Sequence, residues 1–308
     1  MLQKMEKSNS ILVFGGSGFI GISLVKQLLK SGYKTVYIAD IKSPEEQVKG
    51  VVYLPCDITS EELIQEVFET SKPSVVYNLA GFANLDNSIK YPKRTMELNV
   101  IGNINLLEAS LNFDVQLFVY ASSAYAMSDK GSYYGISKLT SEKIVEEYFK
   151  KYDLNFAILR YGSIYAAADF DNNYLYQLVQ SAIETGSIVH NGDGEEIREY
   201  VHVNDVSELS VQVMEDRSLW NSALMLTGNE RMSRKELFEM IREIIGNGAM
   251  EIQFLNKGYG NHYRYTPYTF QGTSAKKIIA NPHFDMGQGI LECVLKVMEA
   301  KETRRHNE

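Results

Sequence analysis

Cysteine is nearly absent from this chain, with Cys56 and Cys293 the only two in 308 residues. They stand far apart and form no CxxC or CxxH pattern, which argues for two reduced, buried thiols rather than a metal site or a disulfide. Long apolar runs are also missing, and no stretch reaches the length that crosses a bilayer. The opening residues, MLQKMEKSNS, are polar and carry no apolar signal segment. These absences predict a cytoplasmic protein with no membrane partner. Basic charge is in deficit too: 31 Lys and Arg stand against 39 Asp and Glu, for a formal net charge of −8. A general nucleic-acid binder is therefore excluded, because a phosphate backbone calls for a basic surface. One anionic small molecule remains admissible wherever Arg, Lys or backbone N–H groups cluster.

Hydrophobic residues make up 44% and charged residues 23%, an ordinary globular balance in a chain long enough to bury a sizeable core. Strand-like runs recur at 11–14, 35–39, 51–54, 74–78, 116–121 and 155–159. Helical patterns fill most of the gaps, at 60–69, 93–111 and 132–152. Strands alternating with helices predict an α/β protein with a doubly wound parallel sheet of Rossmann type, because parallel neighbours need crossover connections. After residue 161 the alternation weakens, leaving helices near 178–184, 204–215, 233–245 and 287–300 around a short apolar run at 223–226. The expected organisation is a cofactor-binding domain over 1–165, to which the chain returns around 198–228. Residues 166–308 form mainly a smaller, C-terminal substrate-binding lobe.

Gly15, Gly18 and Gly21 space a turn between the first strand and the first helix. Such a turn lets backbone approach a pyrophosphate, while the helix N-terminus that follows favours its charge. Asp40 ends the second strand, where a carboxylate accepts from ribose hydroxyls and repels a 2′-phosphate, so NAD is expected over NADP. Asp57 follows the third strand and is a candidate for the adenine edge, although an Asp before Ile58 and Thr59 can equally begin a helix.

In the helical segment 132–152, Tyr134 has Lys138 four residues on, and the two share a helix face. Ser122 and Ser123 end the preceding strand, at the edge where such sheets bind ligands. A free tyrosine titrates near pH 10. A cation about 5 Å away, at an effective dielectric of about 20, favours the phenolate by about 3 kcal/mol, roughly two pKa units. The positive nicotinamide ring of NAD pushes the same way, so with both charges Tyr134 is expected to titrate within reach of neutral pH and to serve as general acid and base.

Together these residues resemble the extended short-chain dehydrogenase/reductase superfamily, in its nucleotide-sugar epimerase/dehydratase branch. The likeness runs through VFGGSGFIG (13–21), IAD (38–40), CDI (56–58), YNLAG (77–81), LNVIGNINLLEAS (98–110), ASSA (121–124), YGISK (134–138), LRYGSIY (159–165) and REYVHVNDV (198–206). It implies a pyrophosphate on Gly15, Gly18, Phe19, Ile20 and Gly21, and an adenosine ribose on Asp40. Asp57 and Ile58 would flank the adenine, with Ala80 and Gly81 against the cofactor's phosphate and ribose. Asn99 would fix the central helix beside the bound molecules. Ser123 or Ser122, Tyr134 and Lys138 take the catalytic positions, and Lys138 also holds the nicotinamide ribose. Ser163 would meet the sugar, and Arg198, with Arg264 as a second candidate, the diphosphate.

Departures from the family pattern narrow the chemistry. Ala124 and Tyr125 stand where sugar dehydratases resemble one another in an Asp–Glu pair, so water elimination is disfavoured. Hydride chemistry at C4 of a nucleotide sugar remains, ending either in the epimer or in a released 4-keto sugar. A reductase or dehydrogenase of a non-nucleotide alcohol and a non-catalytic NAD sensor are the alternatives. The helices at 93–111 and 132–152 occupy positions through which the superfamily dimerises, which implies a homodimer.

Overall fold

The computed structural model describes residues 5–170, 173–246, 248–258, 260–267 and 276–307. In chain order its strands are β1 (Ser10–Phe14), β2 (Thr35–Asp40), β3 (Val51–Pro55), β4 (Val75–Asn78), β5 (Leu117–Ser123), β6 (Phe156–Tyr161), β7 (Ser163–Tyr165), β8 (Ser187–His190), β9 (Ile197–His202), β10 (Ser222–Leu226), β11 (Arg231–Ser233), β12 (Glu251–Phe254) and β13 (Lys276–Ile278). The helices are α1 (Phe19–Lys30), α2 (Glu61–Ser71), α3 (Leu85–Lys90), α4 (Pro92–Met96), α5 (Gly102–Asn112), α6 (Ser132–Tyr152), α7 (Tyr174–Thr185), α8 (Val203–Glu215), α9 (Arg234–Ile245) and α10 (Met286–Asn307).

Eight strands form one parallel sheet in the order β13-β10-β6-β5-β4-β1-β2-β3. This is the doubly wound sheet that the alternation predicts. Its central strands are buried on both faces, as Val75–Asn78 and Leu117–Ser123 show, because helices cover each side. One core beneath α1 and α8 gathers Leu24, Val25, Val206 and Leu209; the opposite core gathers Phe68, Leu106, Leu107 and Val145. A third core joins α7, α9 and α10 through Val179, Phe238 and Ile290. The strand order reverses between β1 and β4, and that point opens the crevice in which such sheets bind ligands. Among the described residues no helix is long and apolar enough to cross a membrane.

Two differences from the pattern reading have physical causes. The single helix expected over 93–111 divides into α4, a π-helical turn at Glu97–Ile101, and α5. That wider turn carries Asn99, whose side chain is bonded to the backbone of Phe82 and to Ser137. The short strands β7, β8, β9, β11 and β12 escaped the reading, because runs of three to six residues show little periodicity and pair in separate sheets of three and two strands. Part of the Tyr- and Gly-rich segment 258–272 lies outside the described residues.

Beneath the ends of β5 and β6 lies a buried ion pair. Arg160 Nε and Nη2 donate to Glu142 of α6 at 2.9 and 2.7 Å, with the two side chains 1% and 0% exposed. Ser122 donates its hydroxyl to the same carboxylate at 2.5 Å. Breaking such a pair strands an uncompensated charge, so Arg160→Met is expected to cost about 3–5 kcal/mol of folding stability. The double variant Arg160→Met with Glu142→Met should lose clearly less, and urea denaturation of the two compares them directly.

Candidate functional site

The turn after β1 is built around glycine for close approach. Gly15 has φ +72°, and a Cβ there would meet the backbone nitrogen of Ala80 at 2.6 Å. A Cβ on Gly21 would stand 2.2 Å from the Gly15 carbonyl oxygen, so any side chain would push α1 off the turn. No side chain caps α1 and no acidic residue sits in its first turn, so the positive end of the helix faces the crevice. Asp40 reaches back from the end of β2 and accepts from the Ser17 N–H at 3.1 Å. Gly81, at φ +152°, holds the far wall, where a Cβ would lie 2.6 Å from Asn99 Oδ1 and 3.8 Å from Lys138 Nζ. A cradle that side chains would fill, an uncapped helix N-terminus and a carboxylate at the ribose position fit a dinucleotide without a 2′-phosphate.

The second half of the site lies where β5 meets α6. Ser123 ends β5 and lines the same cleft as Tyr134 on the first turn of α6. The close approach needs Gly135, where a Cβ would meet the carbonyl oxygens of Lys130 and Tyr125 at 2.9 and 3.0 Å. Lys138 lies one turn on, its ammonium 5.9 Å from the Tyr134 ring centre and donating to the Ala121 carbonyl at 2.8 Å. The expectation of a near-neutral phenol is not met by the chain's own groups. Burial raises the Tyr134 pKa, and the Ser123 hydrogen bond only partly offsets it. Burial also lowers Lys138 to about 8, against the opposing pull of Glu142. Desolvation is thus the largest influence on the Tyr134 phenol, which spacing alone does not reveal.

From Tyr134 an open cleft of about 840 Å³ runs outward between the large sheet and the third core. Tyr125 stands edge-on to Tyr134 at 6.1 Å and packs on Tyr263 at 4.6 Å. Its hydroxyl lies 2.7 Å from His262 Nδ1. Arg198 is buried, with its guanidinium over the Tyr263 ring at 4.2 Å, so it is no surface ion pair with the neighbouring glutamates. Ser163 lines the same wall.

Several residues singled out from sequence sit differently. Ser122 and Ser123 alternate across β5, and Ser122 serves Glu142, which leaves Ser123 as the hydroxyl toward Tyr134. Asp57 accepts from the Thr59 amide and hydroxyl at 2.9 and 2.7 Å and so forms a turn. Ile58 is buried in the core against Gly102, and its carbonyl accepts from Asn105. Asn99 has its amide engaged by Phe82 and Ser137 and so positions the 81–82 loop. Arg264 is exposed and does not line the cleft, although its carbonyl oxygen accepts from Arg198 at 3.3 Å. Arg234, which sequence reasoning missed, does line the cleft. The capping box of Ser233 and Glu236 is legible and marks a helix start there, but nothing local says that Arg234 faces the cleft.

Comparison with known proteins agrees with this geometry. The profile of the NAD dependent epimerase/dehydratase family matches residues 11–222. A putative UDP-glucose 4-epimerase of Methanocaldococcus jannaschii is 26% identical over 256 residues, spanning 77% of this chain and 82% of that protein. Among solved structures, the UDP-glucose 4-epimerase of Thermus thermophilus in complex with NAD superposes with a TM-score of 0.78 at 22% identity, covering 94% of this chain and 99% of that one. The UDP-glucuronic acid 4-epimerase of Bacillus cereus, with UDP-glucuronic acid and NAD, does so at 0.81 and 21% identity, with the same coverage.

The burial of Lys138 has a measurable consequence. Its folded pKa of about 8 lies below the ordinary lysine value of about 10.4, so between the two the unfolded chain binds more protons. The stability this group contributes is complete above the unfolded value and is lost as pH falls through the folded one. The stability difference, wild type minus Lys138→Met, is expected to rise between about pH 8 and 9.5. Urea denaturation across that window checks it, and a flat difference would refute the desolvated lysine.

Proposed function

The chain belongs to the NAD-dependent epimerase/dehydratase family, and from that premise we propose that it inverts C4 of a nucleotide-activated sugar through a 4-keto intermediate, working as a cytoplasmic homodimer. One observation carries the reading: Ser123 and Tyr134, with the Lys138 ammonium 5.9 Å from the Tyr134 ring, line a cleft whose wall also carries Arg198 and Arg234. The names of the relatives support sugar C4 as the reacting centre.

The glycine turn with the α1 N-terminus would hold the pyrophosphate of NAD, Asp40 its adenosine ribose and Lys138 its nicotinamide ribose. NAD bound there supplies a hydride acceptor, a positive charge beside the phenol and, on the return, a hydride donor. Tyr134 takes the proton from the C4 hydroxyl and gives it back when the keto group is reduced, so the cycle has no net redox change. Because burial raises its pKa, Tyr134 rests protonated and accepts that proton only with positive charge close by. Ser123 donates to the phenolate or to the reacting oxygen as charge builds there. Arg198 and Ser163 are assigned to the diphosphate and the sugar.

The dimer reading rests on an exposed apolar strip formed by Ile101, Tyr133, Ile136 and Leu139, on the π turn and α6. Large apolar residues grouped on adjoining helices fit the interface of a four-helix bundle between two copies.

Purified protein offered UDP-, GDP-, CDP- and dTDP-sugars with NAD is expected to yield a new isomer without net cofactor reduction, resolved by chromatography. Tyr134→Phe should lower kcat/KM by about 10²–10⁴, and full activity in that variant would sink the proposal. Ile136→Glu should shift the sedimentation profile from dimer to monomer; an unchanged profile places the interface elsewhere.

A further inference from the structure

Two buried polar atoms along the cleft have no hydrogen-bond partner among the described residues: Arg234 Nε and Glu196 Oε2. Both side chains line the cleft, and they are tied together where the Arg234 amide donates to the Glu196 carbonyl at 3.1 Å. Each is held in place by its remaining atoms. Arg234 Nη1 donates to the Tyr200 hydroxyl at 2.6 Å, with the guanidinium over Tyr174 at 4.2 Å. Glu196 is 4% exposed, and its Oε1 lies 2.5 Å from His190 Nε2. Gly192 keeps the space before them open, since a Cβ there would come within 2.9 Å of His190 Nε2 and 3.2 Å of Glu196 Oε1. The result is one fixed donor and one fixed acceptor on the wall of one cleft, next to aromatic rings.

A buried unsatisfied donor or acceptor costs about 1–3 kcal/mol, so a pair of them lining a cleft argues for a ligand that satisfies both. A phosphate suits only half of the pair, because Glu196 repels it. Burial alone would raise the Glu196 pKa, but the His190 hydrogen bond and the Arg234 charge help to outweigh it and hold the carboxylate ionised. A neutral group carrying a carbonyl next to an N–H suits both atoms. Within a nucleotide sugar, the edge of an oxo-base is such a group.

Building on the nucleotide-sugar reading, we infer that Glu196 and Arg234 select the nucleobase of the substrate. Glu196 accepts from the ring N–H of a base such as uracil, thymine or guanine, and Arg234 donates to the adjacent carbonyl. Cytosine, which has no ring N–H on that edge, is discriminated against. His190 orients the carboxylate and acts as a positioning residue.

The test is calorimetric titration of the NAD-loaded protein with UDP, GDP, CDP, N3-methyl-UDP and N1-methyl-GDP. The better of UDP and GDP is expected to bind at least about tenfold more tightly than its own N-methyl derivative and than CDP. Glu196→Gln and Arg234→Ala should compress that ratio to within about threefold, with NAD affinity and thermal melting reporting that the fold is kept. An N-methyl derivative or CDP binding as tightly as the parent would overturn the inference while leaving the nucleotide-sugar reading standing. Equal weakening of parent and methylated ligands in both variants would overturn it too. Binding of no nucleoside diphosphate at all, by a wild type that still binds NAD, would instead refute the reading on which it rests.

Discussion

The ion pair between Glu142 and Arg160 ties together the elements on which the reacting centre is built. It joins α6 to β6, and through the Ser122 hydroxyl it also holds the end of β5. Ser123 and Tyr134 hang from the two elements so joined, and Lys138 lies one turn from Glu142 on the same helix. A bidentate guanidinium–carboxylate pair fixes orientation as well as distance, which an apolar contact does not. The arrangement also sets electrostatics, since Glu142 is the charge that counters the desolvation of Lys138.

On the other side of the crevice the governing constraint is steric. Gly15, Gly21 and Gly81 sit where backbone or a buried amide comes within 3 Å of a notional Cβ, and the Gly15 and Gly81 contacts join elements distant in sequence. The crowding brings the α1 N-terminus and the loop after β4 to one point, where the strand order reverses. Asn99 reinforces that point from the π turn, bonding Phe82 on one side and Ser137 on the other. The loop after β4 and α6 are thus joined by hydrogen bonds through one buried amide.

The outer cleft works differently, through aromatic faces and a few charged groups. Tyr125, Tyr174, Tyr200 and Tyr263 supply rings, and Arg198 and Arg234 lie over two of them. Arginine suits such a wall because its planar, weakly hydrated guanidinium stacks while keeping donors at its edge. Short strands carry this region, and their pairing brings together residues from 163 to 233.

The sheet, the glycine turn and the Tyr134–Lys138 face were legible in the sequence, because each follows from local periodicity or from spacing within one helix or one turn. Placing Ser122 on Glu142 and Ser123 beside Tyr134, Asp57 in a turn, Ile58 in the core, Arg264 off the cleft and Arg234 on it needed the tertiary structure. Those outcomes depend on what a side chain meets across the fold: Ser122 meets Glu142, twenty residues away, and Arg198 meets the carbonyl of Arg264, sixty-six away. The direction of the Tyr134 pKa shift was decided there as well. Spacing along a helix determines which charges are neighbours, but burial determines how far water is excluded from them, and burial is a property of the assembled protein.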